Sequence, residues 1–191
     1  YDIGEWTTRL VFDQLDNPDF PTEGFRFSLS GLAARDNLGA SDEYEQGRII
    51  SALPLTFGST TLLLRGELGA SSGGIPVEQS FGLGGLFDVS GFVRGSLTAD
   101  NFWAGRTILY NRFAKGNSSL LPFGGFWGGS VEVVSISTEA PAIGDLTGVV
   151  AGSVFVGLDT PILPVYLAFG LNDESERSFY FNVGRLGISQ R

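Results

Sequence analysis

Thr60-Thr61-Leu62-Leu63-Leu64-Arg65-Gly66-Glu67-Leu68-Gly69-Ala70 sets Leu62, Leu64, Gly66 and Leu68 on one face of an extended chain and Thr61, Leu63, Arg65 and Glu67 on the other, because side chains in a strand alternate with period two. One face suits hydrocarbon. The other carries a cation and an anion two residues apart, which a dry core accepts only at a cost of several kcal/mol per unpaired ion. The same alternation recurs along the chain. Trp6, Thr8, Leu10 and Phe12 oppose Thr7, Arg9, Val11 and Asp13, and Phe25, Phe27, Leu29 and Gly31 oppose Arg26, Ser28 and Ser30. Further strands are expected over 102–113, 120–134, 147–158, 162–171 and 178–186. Segment 43–54, which mixes Glu43, Glu45 and Arg48 with Ile49, Ile50 and Leu53, is the weakest. Nine strands result, most of them about ten residues long, the length that crosses a bilayer as a tilted strand.

Gathered on the faces opposite the apolar sets are Arg26, Arg65, Glu67, Arg106, Arg112, Ser130, Glu132 and Asn182. An outward apolar band with a wet, charged interior describes a transmembrane β-barrel, since lipid tolerates strands only where their backbone groups are paired. A soluble sandwich or lipocalin-like barrel is the competing architecture. Trp6, Trp103 and Phe113 fall on outward faces near strand ends, where interfacial aromatics gather. Tyr166 and Tyr180 have inward parity.

Composition agrees with an all-β membrane protein. The 191 residues include 28 glycines and 16 phenylalanines, a pairing that disfavours helix while supplying abundant apolar surface. Mean hydropathy is +0.14, yet no uninterrupted run of about 18 apolar residues exists to make a transmembrane helix. Cysteine, histidine and methionine are absent. Disulfides, thiolate or imidazole metal sites and His-based triads are thereby excluded within the chain. A net charge of −9 argues against nucleic acid as a partner. No linker divides the chain, so one domain over 1–191 is expected, and the lack of a leader-like start suggests processing or trimming.

Two connections stand out. Asp16-Asn17-Pro18-Asp19-Phe20-Pro21-Thr22-Glu23-Gly24 is dense in turn formers and joins the first two strands. The long loop 71–100 contains Phe81-Gly82-Leu83-Gly84-Gly85-Leu86-Phe87-Asp88-Val89-Ser90-Gly91-Phe92, whose glycines permit a tight fold among aromatic and aliphatic anchors. Such a loop can pack inside a cavity as a plug. With this loop outside the cell, the Asp16–Gly24 turn is periplasmic and the first strand starts outside. Single-chain barrels normally have an even strand count, so either the first strand does not span, leaving eight, or the chain is the later part of a larger barrel.

The turn 15–24, the loop 81–92 and the final strand beginning Arg177-Ser178-Phe179-Tyr180-Phe181 resemble the superfamily of outer-membrane assembly and translocation barrels that includes BamA and TamA. They look most like the translocator barrels attached to patatin-like phospholipases. The resemblance covers nearly the whole chain and implies a sixteen-stranded barrel of which this chain is similar to the C-terminal nine. It further implies a bacterial outer-membrane surface antigen or translocator that moves or displays a passenger domain. Outer-membrane lipid and the insertion machinery are its other implied partners, no cofactor is implied, and association of two copies into a homodimer is left open by the sequence. The family's loop carries a Val/Leu-Arg-Gly-Phe/Tyr element after a Gly-Gly pair, whose arginine anchors the loop in the lumen. Here Gly84 and Gly85 precede Val89-Ser90-Gly91-Phe92, with serine in the arginine's place as in the patatin-linked branch. Arg94 is the candidate for the vacated anchoring role, and Arg65, Glu67, Arg106 and Arg112 are candidates for a charge ladder holding the loop. The chain continues through Gly187-Ile188-Ser189-Gln190-Arg191 without a terminal aromatic, a departure from the family pattern.

No enzymatic constellation emerges. Gly69-Ala70-Ser71-Ser72-Gly73 matches G-x-S-x-G, but a nucleophile elbow needs a strand, a sharp turn, a helix and an activating base. Ser71 is read as a small residue leaving a strand. The acidic runs at Asp13–Glu23 and Asn172–Glu176 lack the ligand spacing of a calcium loop and are read as solvated charge. A small eight-stranded structural or adhesive barrel without a pore is the alternative function.

Overall fold

A computed structural model describes residues 4–73, 75–113, 124–137, 148–160 and 162–184. Nine long strands form one antiparallel sheet: β1 (Glu5–Asp13), β2 (Arg26–Ala34), β3 (Tyr44–Phe57), β4 (Thr60–Gly73), β7 (Asn101–Phe113), β8 (Gly124–Ser137), β9 (Val149–Asp159), β10 (Val165–Asn172) and β11 (Arg177–Val183). They pair in chain order, and a small ribbon of β5 (Phe81–Leu83) and β6 (Leu97–Ala99) lies within the β4–β7 connection. The antiparallel transmembrane-barrel architecture expected from period-two patterning is therefore present as a nine-stranded sheet.

Register fixes the two faces. Across β8, β9, β10 and β11, Trp127 pairs with Val156, Val156 with Leu167, and Leu167 with Phe181. This makes an unbroken apolar row on the outer surface. Phe179 and Phe181 are 70% and 66% exposed, which suits hydrocarbon rather than water. On the opposite face, Arg65 of β4 lies beside Arg106 of β7, and Arg106 beside Glu132 of β8. Every one of these three is buried, so the charges occupy the concave side.

Segment 43–54, weak by composition, belongs to one of the longest strands. Pairing with β2 on one side and β4 on the other overrides its mixed local pattern. Pro54 fits because β3 pairs with β2 only as far as Ala52, leaving the proline on a stretch bonded to β4 alone. The first strand is complete: β1 pairs with β2 from Glu5–Ala34 to Asp13–Arg26, so the described residues contribute nine long strands rather than eight. The connection 71–100 is shorter than expected, since β4 runs to Gly73, and it carries the β5–β6 ribbon and a 3-10 turn at Val77–Gln79. The start of the expected strand 120–134 and the tail Gly187–Arg191 lie outside the described residues.

Strand alternation puts the Asp16–Gly24 turn, the Gly58-Ser59 turn and the β9–β10 connection at one end of the sheet. The β2–β3, β4–β7 and β10–β11 connections lie at the other. Among the described residues β1 and β11 are unpaired edges. Eight successive antiparallel steps separate them, so they run in the same direction.

Candidate functional site: an inward-folded loop and its cradle

Gly84, Gly85 and Gly91 have φ of +115°, +106° and +97°, a region essentially open only to glycine. These reversals fold the segment between β5 and β6 into a compact knot. The Gly84 N–H donates to Asp88 Oδ2 at 2.9 Å, the Asp88 N–H donates to the Gly85 carbonyl at 3.1 Å, and Gly85 bridges Val89. Phe87, at φ +62°, stands in the left-handed region without being glycine, a conformation that persists only where packing enforces it. Its ring meets Phe155 edge to face at 4.8 Å between centroids. Phe87, Val89 and Ser90 are all buried, so the loop tip lies on the concave face of the sheet.

Three sets of contacts hold it there. Ser90 donates its N–H to Glu132 Oε2 at 2.6 Å and its hydroxyl to Glu132 Oε1 at 2.8 Å; Ser130 adds a third donor to Oε1 at 2.5 Å. Asp88 pairs with Arg106, whose other amino group meets Glu67 Oε2 at 2.6 Å, and Arg48 Nε meets Glu67 Oε1 at 2.7 Å. On β11, the Tyr180 hydroxyl accepts from Gly91 N–H and donates to the Phe92 carbonyl, both at 2.9 Å, while Ser178 donates to the Gly91 carbonyl at 2.5 Å. The loop thus bridges β7 and β8 to the last strand. Bonds to charged groups contribute about 1.5–3 kcal/mol each, so the buried carboxylates supply the strongest restraint.

The approach is close enough to exclude side chains from the cradle. A Cβ at Gly170 would lie 2.9 Å from both Gly91 N and Ser90 Cβ, and one at Gly91 would lie 2.9 Å from Asn172 Nδ2. From the other end of the sheet, the Asp16–Gly24 turn inserts Phe20, only 2% exposed. Its ring stacks on Phe126 at 4.3 Å and contacts Tyr110, Phe155 and Tyr166. Tyr110 donates its hydroxyl to the Pro21 carbonyl. Asn17 Oδ1 accepts from the N–H groups of Asp19 and Phe20, and Asp16 Oδ1 from those of Thr22 and Glu23, shaping the turn that aims the ring. Burial would push the Asp16 carboxyl up, but the Thr22 hydroxyl and these N–H groups together hold it below the usual carboxylate range.

Of the residues singled out in the sequence, Gly84, Gly85, Val89, Ser90, Gly91 and Phe92 form the knot, and Arg65, Glu67, Arg106 and Glu132 form its cradle. Arg26 is buried elsewhere and pairs with Asp13 at 2.6 Å. Arg94 is exposed at the rim, and Arg112 is exposed with its guanidinium carbon 5.0 Å from the Phe126 ring centroid. The anchoring position left without arginine is served by Ser90 itself, through Glu132. Asp88, Arg48, Tyr180 and Phe20 escaped sequence reasoning as contributors. Tyr180 had inward parity as a signal, whereas Phe20 looked like one residue of a turn. Ser71 lies within β4 and donates its hydroxyl to the Asp100 carbonyl at 2.7 Å.

No curated protein matches the chain. The family model described as the Omp85 superfamily domain matches residues 5–185. With that match spanning nearly the whole sequence, and with an antiparallel sheet whose apolar face is outward and whose charged face is inward, the chain belongs to the Omp85 superfamily, outer-membrane β-barrel proteins of bacteria.

Proposed function

We propose that this chain forms part of a translocator barrel that moves or displays a passenger domain at the bacterial surface, by a loop-gated and non-enzymatic route. Serine at position 90 favours the patatin-linked type. The observation that carries the reading is the placement of the Gly84–Phe92 knot on the concave face, tied to Glu132, Arg106 and Tyr180. The outward apolar face suits outer-membrane lipid, and the net charge of −9 gives no purchase for nucleic acid.

Conductance of the purified chain in a planar bilayer tests this. The parent chain should be quiet, and Gly170→Ala, which displaces the knot, should raise conductance. Silence in both would favour the alternative, a small barrel without a pore. That second reading draws on the cluster of Phe20, Phe87, Phe126, Phe155 and Tyr166, which fills the concave face at one level. Light scattering with detergent subtraction tests a homodimer. Because β1 and β11 run in the same direction, a dimer related by an axis along the membrane normal would have parallel seams, and a monomer is expected.

A further inference from the structure

Arg65 and Arg106 are direct cross-strand neighbours on the concave face, 9% and 2% exposed. Like charges placed so are mutually destabilising, and only one of the pair is in direct contact with carboxylates. Arg106 reaches Glu67 and Asp88. Arg65 makes one long bond, from Nη1 to the Phe87 carbonyl at 3.4 Å, and its buried Nε has no partner among the described residues. The nearby acids are already occupied. Glu67 accepts from Arg48 and Arg106, Asp88 from Arg106 and the Gly84 N–H, and Glu132 from Ser90 and Ser130.

Beside Arg65 is a cavity of about 390 Å³ between the loop and β11, with Arg48 and Arg94, the already engaged Glu67 and Asp88, and Leu86, Phe87 and Tyr180 also on its wall. A buried guanidinium with no carboxylate in direct contact is poorly compensated, and its fork of donors matches an oxyanion in bidentate geometry. We propose that this cavity is an oxyanion site in which Arg65 binds a carboxylate or phosphate group, with Arg94 adding positive potential. The inference rests on the concave face being a hydrated lumen. The anion would come either from a free small molecule or from an acidic side chain of a polypeptide in the lumen, and it would lie against the loop, coupling occupancy to loop position.

The test is calorimetric titration of the detergent-solubilised chain with inorganic phosphate at low ionic strength, where screening is weak. Arg65→Gln should weaken binding at least tenfold, Arg94→Gln about twofold, and the surface variant Arg35→Gln not at all. Should Arg65→Gln fail to fold, the native chain supplies the readout: phosphate, but not chloride at equal ionic strength, should raise its melting temperature. A blocked peptide carrying one glutamate that displaces phosphate, where its glutamine twin does not, identifies a polypeptide carboxylate as a source. Phosphate bound without such displacement identifies a free oxyanion. Absence of phosphate binding, or equal binding by Arg65→Gln, overturns the proposal. To separate the underlying premise, Asn182→Cys on the cavity wall gives the otherwise cysteine-free chain a single thiol for a membrane-impermeant maleimide. Labelling without phosphate binding leaves the hydrated lumen standing and removes the site; absence of labelling removes both.

Discussion

Ser90 and Glu132, 42 positions apart in the chain, meet through two hydrogen bonds and are both fully buried. Arg106, the cross-strand neighbour of Glu132, is engaged with Glu67 and Asp88, so the direct hydrogen bonds to this carboxylate come from two serine hydroxyls and a backbone N–H. Removing Glu132 strands the Ser90 N–H and hydroxyl, while Ser130 keeps Ser153 as a partner, whereas removing the Ser90 hydroxyl deletes one charge-assisted bond. Glu132→Ala should therefore destabilise by about 2–6 kcal/mol, the cost of two unsatisfied buried donors, and Ser90→Ala by about 1.5–3 kcal/mol. Urea unfolding of the refolded chain measures both, and equal effects would contradict the role given to Glu132.

Gly170→Ala isolates the steric side of the same contact. Gly170 is in β10 without a left-handed backbone, so alanine is conformationally acceptable there, yet its Cβ would collide with Gly91 N, Ser90 Cβ and the Tyr180 ring at 2.9–3.0 Å. The strand should remain and the loop should move. Limited trypsin digestion after Arg94 is the readout, with several-fold faster cleavage expected in the variant and an unchanged rate in Gly105→Ala, where a Cβ meets open space.

The outer surface yields a different test. Phe181 lies in the apolar row with Leu167, so arginine there would face hydrocarbon. Such a substitution costs about 2–4 kcal/mol near the bilayer midplane. Folding yield of Phe181→Arg into lipid vesicles should fall, while Asn182→Arg, one residue on and facing inward, should fold near parental yield. Equal yields would mean that the β11 outer face does not meet lipid.

Most strand positions and the facing of Arg65, Glu67, Arg106 and Glu132 were legible because alternation is local and each strand carries its own signal, whereas the place of the first strand was decided only by its pairing with β2. The knot was legible as a compact loop from its glycines, but its partners were not. Ser90 to Glu132 and Gly91 to Tyr180 span the fold, and no pattern within a window of residues records them. Arg94 looked like a substitute anchor by chain proximity, yet the reversal at Gly95, with φ of +72°, belongs to a return path that leaves it exposed. Phe20 was hidden for the opposite reason: turn chemistry explained its neighbours Asn17 and Pro18 so fully that the ring seemed incidental.

Asp16 gives the Phe20 turn a dependence on pH. Its carboxyl is held below the ordinary range, so the sign is that of a depressed acid. Its contribution is fully present above the unfolded value of about 3.9 and is lost as pH falls through the lower folded value. Amide exchange at Thr22 and Glu23, whose N–H groups it accepts, should accelerate relative to other amides below about pH 4. Asp16→Asn should show no such acid-specific acceleration.

Phe20 and Phe87 enter from opposite ends of the sheet and converge on one ring, Phe155, at 5.7 and 4.8 Å between centroids. Each truncation to alanine should cost about 3–5 kcal/mol. Because the two share a neighbour, their effects should not add: once Phe20 is gone, Phe155 can shift and Phe87 loses part of its support. A double-mutant cycle should give a coupling of about 0.5–3 kcal/mol. Strict additivity would mean that the Asp16–Gly24 turn and the opposing loop are independent closures. Measurable coupling would mean that withdrawing the loop loosens the turn, so that a single event at one end of the barrel weakens the seal at the other.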